Sequence, residues 1–189
     1  DLLVTGTFDA FDGREVTELP NLPDMTGMVI KVDGQPFTME EGKLDAYVRT
    51  LNLRDGKLER KVDWTSPSGK KLRFHFTRFV SMAREHVLGM RMEVTALDAD
   101  VKLSVVTGMD GTVTNTGTQH FHEGSKRLLD LRIMRMTTTT LQSGVDCCQH
   151  ALCNYFVDGE KVSVSTLPII SRRKIGSKAD FTLAKGQTL

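Results

Sequence analysis

Short runs of alternating apolar and polar residues dominate the sequence, and turn residues separate these runs about every 8–12 positions. In one run, Leu58, Val62 and Trp64 share a face of an extended strand, with Arg60 as the exception. Alternate side chains of a strand point to opposite sides of its sheet, so a period of two predicts strands that bury one face. The pattern therefore favours an antiparallel β fold.

Two hairpins can be placed from turn residues. Ser66-Pro67-Ser68-Gly69 separates the run at Leu58 from a second run that contains Leu72 and Phe76, which predicts an antiparallel hairpin over residues 58–79. Residues 87–94 form the next strand, and Asp98-Ala99-Asp100 turns the chain into a strand over residues 101–105. Both hairpins pair neighbouring segments of the chain.

Further short strands fill the second half of the sequence, with Asp158-Gly159 as a strong turn signal. Residues 40–49 are predicted as a short helix, and the polar residues 116–126 as a loop. So many short strands need two facing sheets to bury their apolar sides, which predicts an all-β fold, a large antiparallel two-sheet β-sandwich, as a single domain over residues 1–189. The remaining predicted strands are 127–136, 137–141, 145–151, 161–166 and 179–183.

Charge and composition exclude several classes of function. A net charge of +1 gives no long-range field for nucleic acid or an anionic membrane, and no apolar run approaches the length of about 20 residues that spans a bilayer. The cation run at residues 171–174 is interpreted as a turn or an exposed edge rather than a phosphate or nucleic-acid site. Three cysteines, two of them adjacent, argue against a disulfide framework and favour the cytoplasm. The start at Asp1, without Met, predicts an excised fragment.

Two segments resemble metal sites. His120 and His122 would share a face of a strand with Glu123 nearby, but two imidazoles are too few for a metal site, so we interpret this segment as a polar loop. Cys147-Cys148-x-His150-x-x-Cys153 places its adjacent cysteines on opposite faces of a strand, so we interpret them as small buried apolar residues of a strand. Neither a metal nor a cofactor is predicted.

Paired carboxylates are the signature of sugar-cleaving enzymes. Asp98, Asp100, Asp110 and Glu123 are the candidates, yet the aspartates lie in turn sequences, where Asp commonly binds backbone amides. They are therefore interpreted as structural. The sequence also lacks a Gly-x-Ser-x-Gly elbow and a Walker-type loop. Trp64, Tyr47 and Tyr155 are assigned to the core.

A resemblance to a known family covers about two thirds of the chain. Its segments are Gly6-Thr7-Phe8-Asp9, Glu18 to Pro23, Val32-Asp33-Gly34, Tyr47 to Gly56 and, most strongly, Arg78 to Asn115. In these segments the chain resembles the N-terminal domain of glycoside hydrolase family 65, which includes maltose, trehalose and kojibiose phosphorylases. Ala96 and Met109 depart from the family pattern as mild packing changes.

The resemblance implies a large two-sheet supersandwich, similar to galactose mutarotase, joined to a catalytic (α/α)6 barrel that is absent from residues 1–189. It implies a parent enzyme that uses a disaccharide and inorganic phosphate, with the domain supporting the barrel and subunit assembly, and it suggests a homodimer. The loop over residues 117–124, with His120, His122 and Glu123, is predicted to lie at the active-site rim. The alternatives are a stand-alone carbohydrate-binding module or a domain of a family 65 hydrolase.

Overall fold

The computed structural model describes residues 2–10, 12, 16–129 and 132–189, and these residues form strands and turns without a helix. Consequently, no described helix is long and apolar enough to cross a membrane. The strands are β1 (Met28–Val32), β2 (Gln35–Pro36), β3 (Lys43–Asn52), β4 (Lys57–Thr65), β5 (Lys71–Val80), β6 (Leu88–Ala96), β7 (Val101–Asp110), β8 (Phe121–Leu129), β9 (Ile133–Thr140), β10 (Asp146–Leu152), β11 (Tyr155–Val157), β12 (Glu160–Val162), β13 (Thr166–Ser171) and β14 (Lys174–Leu183).

The strands form antiparallel sheets, and the fold is the all-β sandwich class that the sequence predicts. The sheet orders are β13-β14-β7-β1-β2, β3-β4-β5-β6, β10-β9-β8 and β11-β12. The chain divides into two compact units. The first unit comprises Asp1–Val29, Val105–Cys153 and Ser165–Ala179, and the second comprises Ile30–Ser104, Asn154–Val164 and Asp180–Leu189. A single sandwich domain over residues 1–189 stays a prediction.

The predicted hairpin over residues 58–79 is confirmed in the second unit. Its strands β4 and β5 pair antiparallel from Lys57 opposite Phe79 to Thr65 opposite Lys71. The turn closes where the Gly69 amide donates to the Ser66 carbonyl. The hairpin forms as predicted because its turn residues and its apolar alternation specify the same register.

The core of the second unit forms on one face of this hairpin. Trp64, Leu72 and Phe74 are fully buried there. The Phe37 ring stacks on Phe74 with 3.8 Å between ring centroids and meets Trp64 edge-on at 5.2 Å. The Trp64 indole N–H donates to the Glu41 carbonyl at 2.8 Å, so its one polar atom is also satisfied.

The predicted helix over residues 40–49 is wrong. Residues 43–52 are β3, the edge strand of the four-stranded sheet, and they pair with β4 apart from a bulge between Leu44 and Ala46. Local composition favoured a helix, but pairing with β4 supplies the backbone hydrogen bonds and outweighs the weak intrinsic preference. β3 therefore leaves all ten of its residues exposed.

The first unit has a methionine-rich core. Met109, Met134, Met136 and Ile175 form its buried cluster. Flexible methionine side chains fill irregular spaces well, so Met109 fits the mild packing change that its departure from the family pattern implies. β7 and β14 lie very close to each other here. A Cβ atom added to Gly108 would lie only 2.3 Å from the Ile175 carbonyl oxygen.

One strand prediction and one loop prediction in the first unit need correction. The strand predicted over residues 127–136 is divided: β8 ends at Leu129, β9 begins at Ile133, and residues 130–131 lie outside the described residues. The loop predicted over residues 116–126 is a loop only up to His120, since β8 begins at Phe121 and pairs with β9. A bulge between Glu123 and Lys126 places Gly124 against Thr137, which explains why the sequence there resembles a loop.

Candidate functional site

The three predicted rim residues lie at the start of β8 in three different environments. His120 precedes the strand and is 2% exposed, whereas His122 is exposed and Glu123 is half-buried. Because β8 begins at Phe121, residues 121–124 belong to a strand, and only residues 117–120 of the predicted loop over residues 117–124 are a loop. The two imidazoles also differ in access to solvent, so they do not form one face.

His120 lies between two carboxylates. Its Nδ1 is 3.2 Å from Asp9 Oδ2, and its Nε2 is 2.7 Å from Glu18 Oε1. The side chains of His120 and Asp9 are 1% and 0% exposed, respectively, whereas that of Glu18 is 46% exposed. A protonated imidazole donates from both ring nitrogens, so an imidazolium satisfies both carboxylates at once.

Asp9 also binds the turn after β9. Its Oδ1 accepts the amide of Gln142 at 2.9 Å, the amide of Ser143 at 2.8 Å and the Ser143 hydroxyl at 3.1 Å. Burial by itself raises the pKa of Asp9, but the hydrogen bonds from Ser143, Gln142 and His120 outweigh it and lower the pKa below its usual value. We call Asp9, Glu18, His120, Gln142 and Ser143 the His120 cluster.

Glu123 holds the neighbouring hairpin turn. Its Oε1 accepts the Arg173 amide at 2.8 Å, and the carboxylate forms an ion pair with Lys126. The Arg173 guanidinium lies 5.8 Å from the centroid of the Phe121 ring. Arg173 has a φ of 59° and occupies the turn between β13 and β14. The interpretation of residues 171–174 as a turn is therefore confirmed.

The remaining candidate carboxylates also make structural contacts. Asp110 accepts the Thr112 amide at 2.9 Å and pairs with Lys174 at 2.7 Å. Burial raises the pKa of Asp110, but the contacts with Lys174 and Thr112 outweigh it, so the net shift is downward. Asp98 and Asp100 accept backbone amides at 2.9 and 2.8 Å, respectively. Each therefore stabilises a turn or a neighbouring segment, as the sequence predicts.

The three cysteines are thiols. Cys147 is half-buried and Cys148 is exposed, on successive positions of β10, as strand alternation predicts. The interpretation of the cysteines as buried residues is therefore wrong for Cys148, which is on the exposed side of the strand. Burial, and then the charge of Asp146, raises the pKa of Cys147 above its usual value. Among the residues that the structure describes, no three His, Cys, Asp or Glu side chains are grouped so that they could hold a metal ion.

Sequence reasoning missed Asp9 and Glu18. Both belong to segments that carry the family resemblance, but their positions more than 100 residues before His120 give no local signal of contact. The two segments meet directly, because Asp9 and Glu18 exchange backbone hydrogen bonds at 2.9 Å. The contact of both carboxylates with His120 is visible only in the folded structure.

Comparison with known proteins decides the lineage. A family model described as "Glycosyl hydrolase family 65, N-terminal domain" matches residues 3–189. The chain belongs to this family. The resemblance in the sequence is therefore confirmed, and the match extends past residue 125 to the end of the chain.

Curated relatives of this family 65 domain include phosphorylases. A kojibiose phosphorylase of Halothermothrix orenii is 37% identical over 98% of the chain and 24% of its own length, and one of Escherichia coli is 32% identical over 78% and 20%. An α,α-trehalose phosphorylase of Thermoanaerobacter brockii is 35% identical over 50% of the chain and 12% of its own length. The chain thus spans about a quarter or less of these relatives.

A solved structure shows the same fold. The "Putative kojibiose phosphorylase from human microbiome" superposes with a TM-score of 0.78 over 90% of the family 65 domain and 22% of its own chain. Sequence identity in that superposition is 13%, so this similarity concerns the fold.

Proposed function

We propose that the chain is the non-catalytic N-terminal domain of an inverting disaccharide phosphorylase, in which it supports a catalytic barrel and subunit assembly. The observation that carries the proposal is the family match over residues 3–189 combined with coverage of only 24% of the Halothermothrix orenii phosphorylase. The parent polypeptide then has room for a catalytic region about three times the length of this domain.

The proposed chemistry requires one acid and one external nucleophile. The acid protonates the glycosidic oxygen of an α-linked glucose disaccharide while inorganic phosphate attacks the opposite face of the anomeric carbon, which yields β-glucose 1-phosphate. Phosphate is already an anion and has less need of a protein base. In this chain Asp98, Asp100, Asp110 and Glu123 each bind a backbone amide, which supports a structural role for all four.

A role at the active-site rim remains part of the proposal. His122 is the exposed member of the predicted set, while Glu123 is held by the Arg173 turn and His120 is enclosed by the His120 cluster. His122 is therefore the one of these three residues that can contact a neighbouring surface. His120 and Glu123 contribute by fixing the start of that strand.

The test compares the full-length protein with residues 1–189 expressed alone. Phosphate-dependent release of β-glucose 1-phosphate from kojibiose, trehalose or maltose is expected from the full-length protein, with no turnover and no sugar binding at millimolar concentration by residues 1–189. Release of glucose without phosphate would instead identify a hydrolase. Millimolar or tighter sugar binding by residues 1–189 would favour a carbohydrate-binding module.

The rim residue has a matched control. His122→Ala in the full-length enzyme is expected to change KM or kcat, or the sedimentation of the proposed homodimer, because its exposed imidazole would contact another part of the assembly. His150→Ala removes an exposed imidazole from β10 and should change neither. Equal behaviour of the two variants would exclude the rim role. A cytoplasmic location, favoured by three thiols, completes the proposal.

A further inference from the structure

One face of the β3-β4-β5-β6 sheet changes character along its length. At one end the face is core, with Val62 and Phe74 cross-strand neighbours and both buried. From Tyr47, which lies opposite Val62, to Val80, six positions beyond Phe74, the same face carries arginines and exposed apolar side chains. The six residues that define this exposed end, which we call the arginine face, are Tyr47, Arg49, Leu51, Arg60, Arg78 and Val80.

Three arginines are brought together by strand register. Arg49 lies directly opposite Arg60 on the neighbouring strand, and Arg78 shares the face two positions beyond Phe76, which is the partner of Arg60. The Arg60 guanidinium lies 4.2 Å from the centroid of the Phe76 ring. Like charges directly opposite each other destabilise a strand pair, so the arrangement needs a compensating interaction.

The cationic charge of the arginine face is not balanced within the described part of the chain. There, none of Arg49, Arg60 and Arg78 forms an ion pair with a carboxylate, whereas Arg73 on the opposite face of β5 binds Asp63 at 2.7 Å. The pKa of Arg60 is lowered by burial and further by the charges of Arg49 and Arg78, against an opposing effect of Tyr47. A carboxylate placed beside these guanidiniums would offset the repulsion among them.

Apolar side chains surround the arginines and are also uncovered. Tyr47 is 43% exposed, Leu51 59% and Val80 65%. The assignment of Tyr47 to the core is therefore wrong, because β3 is an edge strand with every residue exposed. Soluble proteins normally protect a long edge strand, so ten exposed residues that include Tyr47 and Leu51 indicate a surface that another element covers.

The charge pattern selects the kind of occupant. A second copy docked symmetrically would bring the arginine face against itself, and like charges facing each other across an interface cost several kcal/mol. None of the six residues is acidic. The complement is a surface with both carboxylates and apolar side chains, and polypeptide of about three times this length is available in the relatives.

We propose that the arginine face docks on an acidic and apolar surface of the catalytic region of the same polypeptide, whose carboxylates pair with Arg49, Arg60 and Arg78. This inference rests on the proposed function, because it requires that the chain be part of a longer enzyme. The apolar side chains of Tyr47, Leu51 and Val80 provide the buried area, and the arginines fix the orientation.

Carbodiimide cross-linking of the full-length protein identifies the occupant. Arg49→Lys with Arg78→Lys keeps the positive charges and supplies amines that a carbodiimide joins to carboxylates in contact. A mixture of ¹⁵N-labelled and unlabelled protein distinguishes cross-links within one polypeptide from those between copies. We expect cross-links within one polypeptide to Asp or Glu beyond residue 189. Cross-links between copies, or none above the level at Lys57 and Lys61 of the opposite face, would overturn the proposal.

Charge reversal provides a second readout in the same protein. Arg49→Glu with Arg78→Glu should raise the amide exchange rates of β3 at least about tenfold, because an undocked edge strand opens more readily. Lys57→Glu with Lys61→Glu makes the same charge change on the opposite face of β4, and its effect should stay below about twofold. Equal effects of the two double variants would refute docking.

These results are independent of the assay for the reaction. If the unmodified full-length protein releases no β-glucose 1-phosphate but shows the expected cross-links, the proposed reaction fails and the docking surface stands. If it is a phosphorylase without those cross-links, the docking proposal fails alone.

Discussion

Replacing Asp9 by alanine tests whether the His120 cluster stabilises the first unit. The carboxylate is fully buried and accepts hydrogen bonds from Gln142, Ser143 and His120, and bonds to charged groups are worth about 1.5–3 kcal/mol each without being additive. Removing the acceptor costs about 1–3 kcal/mol for each buried donor that is left unsatisfied. Gln142 and Ser143 are exposed residues, so we expect the three losses together to stay below their full sum, at about 3 kcal/mol.

Urea denaturation measures this loss. With a denaturant slope of about 2 kcal/mol per molar urea, the unfolding midpoint should fall by about 1.5 M. Amide exchange at Gln142 and Ser143 should accelerate in the same variant, since both amides lose their acceptor.

Asp146→Ala is the matched control for this variant. Asp146 is an exposed residue of the same unit that accepts one hydroxyl, from Thr139 at 2.6 Å, so its removal should lower the midpoint by less than about 0.5 M. If Asp9→Ala and Asp146→Ala agree within about 0.3 M, the cluster contributes no more than a surface contact and the reasoning is refuted.

Two further predictions concern pH and backbone contact. The fold lowers the pKa of Asp9 below 3.8, so the contribution of Asp9 to the free energy of unfolding is complete above about pH 5 and is lost as the pH falls through the folded pKa. The urea midpoint of Asp9→Asn should therefore fall less than that of the unmodified protein between about pH 5 and 3. Identical falls in the two midpoints would contradict this reasoning. Gly108→Ala should destabilise the chain by about 1–3 kcal/mol in urea, because its Cβ would collide with the Ile175 carbonyl oxygen. Gly27→Ala should differ little from the unmodified protein, because the atom nearest to its Cβ would be a side-chain oxygen of Asp24 at 3.9 Å. Similar urea midpoints for the two variants would count against the close approach at Gly108.

Local patterns predicted only part of the sheet structure. The predicted pairing of residues 87–94 with residues 101–105 is wrong, because β6 pairs with β5 and β7 belongs to another sheet. The hairpin over residues 58–79 was predictable because Ser66-Pro67-Ser68-Gly69 and the flanking alternation act over a few positions. The sequence of residues 40–49 does not show a strand pattern, because β3 is an edge strand that is exposed on both faces and so lacks a one-sided apolar pattern. Only its pairing with β4, a tertiary contact, distinguishes strand from helix there.

The candidate site was harder to predict for a related reason. The segment at Gly124 looked like a loop because its glycine serves a bulge opposite Thr137, a requirement set by the partner strand. The burial of His120 depends on Asp9 and Glu18, which are separated from it by 111 and 102 residues. A sequence can show that a histidine is present, but contacts at such distances follow from the assembled sheets.

The His120 cluster also sets an order of events during synthesis. Asp9 leaves the ribosome well before Ser143, whose amide lies 134 positions later in the chain. At about 5–20 residues per second, Asp9 waits roughly 7–27 s for that partner, and long-range contacts of this kind form slowly. The segment around Asp9 therefore stays accessible to chaperones and proteases over that interval. Slowing translation near residue 143 should lengthen that exposure without changing any contact in the finished fold.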